Sequence, residues 1–389
     1  MGDYSEDQFF DAEFLHHATN RIHDMPDVKV DSNRPPCINI LVPAFDFNSV
    51  SAGFFGVFQF ALFVSRCGFN VRLVLFDNFY FDEHLFRSKL LNYPGMERLF
   101  DDLESVYVGS REKPLLVSPH DNCVASVWYS AYFANKIMKS IGDRPFLYLI
   151  QDYETNFYPS GALYQFAENS YDFSYHALFS TRMLQEYMVS NKIGSFSKLN
   201  IKHTYFNNAC ACFLPDKEDF FKEKQASKKK KLVFYSRPNV SRNMFELGAA
   251  ALCSAYEKRV IPASEWDFVG IGLGSSTIKL GRKVEMRQMK RMNLAEYKNS
   301  IAQFDVGLTL MASPHPSLLP FDLAGSGAIV VTNSFKNKNQ GYFDEISSNI
   351  IAAHPDVDSL VEAILIATQR SSDLEKRYKA ASTKLSTSG

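Results

Sequence analysis

The chain has 389 residues, more than one compact core usually organises, so about two domains are expected. Its 46% hydrophobic and 22% charged residues exclude a disordered chain, and 42 basic against 43 acidic side chains give no electrostatic footing for a nucleic acid. The six cysteines (Cys37, Cys67, Cys123, Cys210, Cys212, Cys253) form no Cys-x-x-Cys pair and no zinc spacing with histidine, so reduced thiols and no metal are expected.

The opening MGDYSEDQFFDAEF is acidic and lacks the order of a signal peptide, and no apolar run approaches the ~18 residues of a membrane span. A cytoplasmic location is expected, with room for peripheral contact at the inner face of the membrane. Residues 1–34 read as a polar N-terminal extension, with an amphipathic stretch near Phe9–Ile22 suited to a helix laid on the body. Residues 35–215 read as a first domain. It opens on the apolar strand Cys37–Phe45, passes a loop with Ser51-Ala52-Gly53 and Gly56, and enters a helix over Val57–Arg66 that stops at Gly68. The strand Asn70–Asp77 completes a strand–loop–helix–strand unit, the element of a parallel sheet. LESVYVG, PLLVSP, CVASVW, PFLYLI, ALFST and Tyr205–Pro215 continue as strands, with a helix over Tyr129–Ile141.

Residues 216–231 (DKEDFFKEKQASKKKK) are charged and almost free of aliphatic side chains, which predicts an exposed, solvated linker. Residues 232–389 read as a second domain. KLVFYSRP starts it, followed by a helix over Asn243–Tyr256, the strand WDFVGIG, a turn near Gly281, a helix over Leu294–Phe304 and the strand DVGLTLM. A proline-rich loop, FDLAGSG, the strand AIVVTN and a helix over Val357–Gln369 close it. This alternation resembles the α/β GT-B fold: two doubly wound, Rossmann-like domains facing across a cleft, with ligand at the carboxyl ends of the strands.

Chemistry concentrates in two places of the second half. Arg237 falls at the carboxyl end of a strand and Arg242 five residues on, near a helix start, which suits a diphosphate; two ordinary surface arginines are the plain alternative. In Ser313–Gly327 three prolines stiffen a loop, and Ser317 is placed to cap a helix. The amides of Ser317, Leu318 and Leu319 would then face an anion, and Asp322 could accept from ribose hydroxyls or serve only the helix dipole. In the first half, Gln151-Asp152-Tyr153-Glu154 ends an apolar strand. Asp152 or Glu154 can orient or deprotonate an acceptor hydroxyl, with Tyr153, Phe157 and Tyr158 stacking on sugar rings; a solvated loop or salt bridge is the alternative. Gly53 and Gly56 permit close backbone approach to a ligand, and His120-Asp121 is a further acid/base candidate. Two lures are set aside: Gly270-Ile271-Gly272-Leu273-Gly274 lacks the third spaced glycine of a dinucleotide fingerprint, and Asp356-Val357-Asp358 reads as a helix cap rather than a metal motif.

The segments YSRPNVSRN and LMASPHPSLLPFDLAGSGAIVVTN, with IQDYETNFYPSGALYQFAENSY and ASVWYSAY upstream, resemble glycosyltransferase family four and most of all its WsaF-type rhamnosyltransferases, over roughly residues 37–365. The resemblance implies a metal-independent, retaining transferase with no cofactor beyond its nucleotide-sugar co-substrate. Its implied reaction moves a hexose, such as L-rhamnose from dTDP-rhamnose, onto a growing surface polysaccharide or lipid-linked glycan. By position, Arg237 and Arg242 would bind the diphosphate, the Ser317–Leu319 backbone the phosphates, and Asp322 the ribose. The family's first motif Glu falls on Pro314, which shifts its sugar contact to His315, and the second is Asp322, one methylene shorter. A non-catalytic subunit of a polysaccharide-assembly complex and a GT-B nucleotide-sugar epimerase are the rival expectations.

Overall fold

Each strongly apolar run of the first half becomes a strand covered on both faces. A computed structural model describes residues 22–44, 52–91, 93–198, 200–208, 210–272, 278–281, 284–290, 292 and 294–381. The chain divides into two compact units, Met1–Phe206 and Asn207–Gly389.

In the first unit, β1 (Val28–Val30) pairs in parallel with β5 (Leu115–Val117). The main sheet has β2 (Ile38–Val42), β3 (Val71–Leu75), β4 (Glu104–Tyr107), β6 (Asn122–Ala125), β7 (Phe146–Ile150), β8 (Tyr175–Phe179) and β9 (His203–Tyr205). Its order is β4-β3-β2-β6-β7-β8-β9, parallel throughout the described residues. Alternate side chains fill opposite faces: Ile40, Val42, Leu73 and Leu75 pack on one side, Leu41 and Val74 on the other. That two-sided burial explains why these strands read as unbroken apolar runs. The predicted extension is partly integral, because β1 joins the body and the Asp31 amide donates to Val117 O at 2.8 Å. Most of the stretch near Phe9–Ile22 lies outside the described residues.

The second unit holds β10 (Lys230–Tyr235), β11 (Trp266–Ile271), β12 (Ile278–Lys279), β13 (Glu285–Gln288), β14 (Val306–Leu308), β15 (Ile329–Asn333) and β16 (Ile350–Ala353). Their order is β12-β13-β11-β10-β14-β15-β16, parallel except for the β12–β13 pair. Leu232 and Phe234 of β10 face one core while Val233 faces the other. Each unit is therefore doubly wound, as the alternation of elements predicts.

Two expectations are corrected. Residues 216–231 are not a solvated linker. Asp216 caps a helix over Lys217–Ala226 by accepting from Asp219 N, and Phe220 is 1% exposed beneath Tyr378 and the Arg377 guanidinium. Lys224 reaches buried Asp305 at 3.3 Å, and Lys230 and Lys231 already belong to β10. A single phenylalanine and one lysine stem supply the apolar face that the charged composition conceals. The division into units accordingly falls before Pro215, between Phe206 and Asn207. The expected strand over Tyr205–Pro215 is also absent among the described residues beyond β9. There the amides of Ala211 and Phe213 donate to the side chains of Asp322 and Ser326 instead of to a ladder. No helix among the described residues is long and apolar enough to cross a membrane.

Candidate functional site

In the second unit, β10 has β11 on one side and β14 on the other, so the chain reverses direction across the sheet at its carboxyl end. Such a switch point leaves a crevice between the loops that leave neighbouring strands. Arg237 stands there, two residues beyond β10. Its Nη1 donates to Tyr235 Oη at 3.1 Å and its guanidinium lies 5.7 Å from the centre of that ring. Its Nε is buried with no hydrogen-bond partner among the described residues, which leaves a donor for an anion. Gly272, at the end of β11, makes room for this turn: a Cβ there would fall 2.3 Å from Ser236 O and 2.9 Å from the Arg237 side chain.

Arg242 lies in a 3-10 turn, Ser241–Asn243, and the α-helix begins only at Phe245, after Met244 in the left-handed region. The predicted helix start at Asn243 therefore moves on by two residues. The Arg242 carbonyl accepts from Ala312 N at 2.6 Å, and Asn243 Nδ2 donates to Leu310 O at 3.1 Å. These two bonds join the arginine turn to the proline-rich loop, so the two segments singled out in the sequence are neighbours in space.

That loop is held from below by residues the sequence reading missed. Asn333 accepts from Met311 N at 2.7 Å and returns a bond to Met311 O at 3.1 Å. Lys338, fully buried, adds its Nζ to the same carbonyl at 2.5 Å. Further on, His315 is 6% exposed; its amide donates to Ser313 Oγ, and its Nδ1 accepts from Ser317 N at 3.0 Å. A neutral ring accepting at Nδ1 carries its proton on Nε2, where it is a donor. Ser317 has φ 65 and is not the helix cap. Leu318 takes that place, and the helix Leu319–Gly325 follows. Since His315 engages the Ser317 amide, the expected phosphate-facing backbone shrinks to Leu318 and Leu319, which precede the first helical bonds from Phe321 N and Asp322 N to Leu318 O.

Asp322 is 5% exposed and both its oxygens are engaged within the chain: Oδ1 accepts from Ala211 N at 2.6 Å and Oδ2 from Tyr297 Oη at 2.9 Å. Burial pushes its carboxyl up to about 6, against the opposing pull of these two donors and of Lys298. The ribose contact expected of it is therefore met, in this state, by a tyrosine.

In the first unit, Asp152 is 6% exposed beyond the carboxyl end of β7, its Oδ1 accepting from Tyr153 N at 2.8 Å. Glu154 turns away from its neighbour and accepts from Trp128 N at 2.6 Å, at the start of the helix Trp128–Ser140. Tyr153 is buried and bonded to Glu168, so it does not offer the open ring face expected for a sugar, while Tyr158 is half-buried and its Oη accepts from Trp128 Nε1 at 3.0 Å. Gly53 lies in the first turn of the helix Ala52–Arg66, and a Cβ there would come 3.1 Å from Gln151 Oε1. Gln151 is thus the side chain that stands beside this notch. Of His120-Asp121, the acid is corrected to a structural group: fully buried Asp121 precedes β6, at the amino end of the sheet, and accepts from Cys37 N, Ser118 N and Asn39 Nδ2, while His120 is exposed. Asp356 caps the helix Val357–Arg370, as its position predicts.

With this geometry in hand, likeness to known proteins is specific. The family model for the WsaF N-terminal domain matches residues 37–182, and that for the WsaF C-terminal domain matches residues 230–365. The O-antigen biosynthesis protein RfbC of Myxococcus xanthus is 28% identical over 326 residues, which span 81% of this chain and only 23% of that protein. Among solved structures, HepE of Anabaena in complex with UDP and glucose superimposes with a TM-score of 0.59 at 12% identity, covering 89% of this chain and 94% of that one. The sucrose-phosphate synthase of Thermosynechococcus elongatus gives 0.56 at 10% identity over 89% and 93% of the two chains. WaaG, a glycosyltransferase involved in lipopolysaccharide biosynthesis, gives 0.55 at 12% over 89% and 95%. At such identities the likeness establishes the fold, GT-B, and nothing finer.

Proposed function

We propose that this chain, which belongs to the WsaF family through both of its domains, is a glycosyltransferase of surface-polysaccharide assembly that takes a nucleotide-sugar donor in its second unit. One observation carries the reading: the turn bearing Arg237 and Arg242 is bonded to the proline-rich loop at the switch point of the sheet. Two arginines in a turn joined to the loop that carries the Leu318 and Leu319 amides suit a diphosphate, and Arg237 keeps a buried Nε–H in reserve. The names of RfbC and WaaG, and the UDP bound by HepE, support the same class.

The finer reading is a hexosyl transfer, with L-rhamnose from dTDP-rhamnose as donor, to a glycan or lipid-linked glycan. In it the acceptor hydroxyl attacks the anomeric carbon, the bond from that carbon to the β-phosphate oxygen breaks, and the nucleoside diphosphate departs. Retention follows if acceptor and leaving group share one face of the sugar, the departing phosphate oxygen taking the acceptor's proton. Arg237 and Arg242 stabilise the charge that grows on the diphosphate, the work a metal ion does elsewhere. In this reading the Nε2–H of His315 donates to a sugar or phosphate oxygen, in place of the acid that Pro314 replaces.

Thermal-shift measurements with dTDP, UDP and their sugar conjugates test the donor site, since a ligand that binds only the folded state raises the melting temperature. One nucleotide is expected to stand out, and Arg237→Ala to remove its shift while leaving the unliganded protein folded. A shift that survives the substitution would overturn the site. Turnover that needs no acceptor would point to an epimerase, and donor binding without transfer to any acceptor in a glycan panel to a non-catalytic subunit. Loss of turnover on chelation would overturn the metal-independent reading.

A further inference from the structure

The carboxylate of Asp322 is held by two bonds of different character. Oδ1 takes a backbone amide, Ala211 N at 2.6 Å, in a segment fastened again by Phe213 N to Ser326 Oγ at 3.0 Å. That bond is part of how residues 211–213 are laid against the helix Leu319–Gly325. Oδ2 takes only a side-chain hydroxyl, Tyr297 Oη at 2.9 Å. Tyr297 stands midway along the helix Leu294–Ile301, and fully buried Ile301 anchors the far end of that helix. A phenol on a rotatable side chain can leave where a backbone amide cannot.

What lies around this bond points to the donor. Asp322 N donates to Leu318 O at 3.0 Å, so the carboxylate rises from the first turn after the proline-rich loop. Tyr235, whose hydroxyl accepts from Arg237, packs against the same core cluster as Tyr297. One side of the cluster is thus the diphosphate arginine and the other the acid. A buried carboxylate needs its lone pairs filled, at a cost of about 1–3 kcal/mol for one left empty. A hydroxyl is the group that fills Oδ2 here, and a ribose hydroxyl is chemically equivalent.

We propose that Tyr297 is a placeholder on Asp322: its hydroxyl occupies Oδ2 in the empty protein and is exchanged for a ribose hydroxyl of the nucleoside diphosphate. The proposal rests on the donor-site reading above. Each nucleotide bound must displace one tyrosine hydroxyl, so the contact opposes binding and makes the helix Leu294–Ile301 responsive to occupancy. Asp322, Lys298, Cys210 and Cys212 are the ionisable groups that bear on this bond, besides the two tyrosines.

The test compares the unaltered protein with Tyr297→Phe at pH 8, about two units above the Asp322 carboxyl of the unaltered protein. Dissociation constants are measured by calorimetry for dTDP and for its 2′,3′-dideoxy analogue, which has no ribose hydroxyl. Tyr297→Phe is expected to tighten dTDP about tenfold, the scale of one hydrogen bond to a charged group, and to leave the dideoxy analogue unchanged. Equal or weaker dTDP binding by the variant, or equal tightening of both nucleotides, would overturn the exchange. If the variant does not fold, Asp322→Asn serves: it should weaken dTDP about tenfold and spare the dideoxy analogue, and equal weakening of the two is the overturning result. Failure of the unaltered protein to bind dTDP, its dideoxy analogue or UDP would instead overturn the donor site itself.

Discussion

Glu154 Oε2 accepts a 2.6 Å hydrogen bond from the backbone amide of Trp128, the first residue of the helix Trp128–Ser140. The pair is buried on both sides, at 7% and 1% exposure. A helix start presents amides with no partner inside the helix, and a carboxylate both fills one and complements the helix dipole. Of the two neighbouring acids, Glu154 is therefore engaged at a helix start, and Asp152 is the one whose part in transfer a substitution can test. Glu154→Ala is expected to cost about 1–3 kcal/mol of stability through an unpaired buried amide. If Asp152 orients the acceptor hydroxyl, Asp152→Asn should lower kcat about 10²-fold with little change in melting temperature, as for a misplaced reactant. Urea denaturation and initial rates on the two variants separate these outcomes; a stable Glu154→Ala protein would contradict the assignment.

Arg237→Lys tests more than charge. Lysine keeps a cation but loses the fork, the bond to Tyr235 Oη and the guanidinium–ring contact at 5.7 Å. If the site reads a diphosphate through paired donors, nucleotide affinity should fall about tenfold or more even though the net charge is unchanged. Affinity equal to that of the unaltered protein would mean that Arg237 acts as a point charge alone.

Asp322 gives stability a pH dependence of predictable sign. Its carboxyl is raised from 3.8 to about 6 in the folded protein, chiefly by burial. A group raised on folding stabilises the protein below its unfolded value and loses that contribution as pH rises through the folded one. The shift of about two units corresponds to about 3 kcal/mol, lost between about pH 4 and pH 6. Asp322→Asn, which can still accept from Ala211 N, removes this titration. The stability of the unaltered protein relative to the variant should thus fall between pH 4 and pH 7 in urea titrations. A constant difference across that range would contradict the burial effect.

What the sequence made legible follows from the range of the interactions. The strands could be read because burial on both faces leaves unbroken apolar runs such as Ile38–Val42. Arg237 and Arg242 could be read because a strand end followed by cationic groups is a local pattern. The partners of Asp322 could not. Ala211 is 111 residues away, and a backbone amide carries no side-chain signal. Asn333 and Lys338 escaped for a similar reason: their target is the Met311 carbonyl, which any residue supplies. The charged stretch 216–231 concealed a helix whose only markers were Asp216 as cap and the spacing of Phe220 and Lys224. Gly53 was read as an opening for a ligand, because sequence shows the missing Cβ but not the side chain, here Gln151, that stands beside it.

Gly53 puts that last point to an experimental test. It sits in the first turn of the helix Ala52–Arg66, where alanine favours the helix by about 1 kcal/mol over glycine. The new Cβ would come 3.1 Å from Gln151 Oε1, and that atom belongs to a side chain that can yield by a few tenths of an ångström. Gly53→Ala should therefore fold as well as the unaltered protein or better, with Gln151 displaced from the strand end it shares with Asp152. If the carboxamide must stay in place beside the acid, transfer should slow severalfold while nucleotide binding by the second unit is untouched. Melting temperature, nucleotide affinity and initial rate measured together decide it. Full turnover in a stable Gly53→Ala protein would show that the notch serves packing alone, whereas a loss of stability would mean that Gln151 cannot yield.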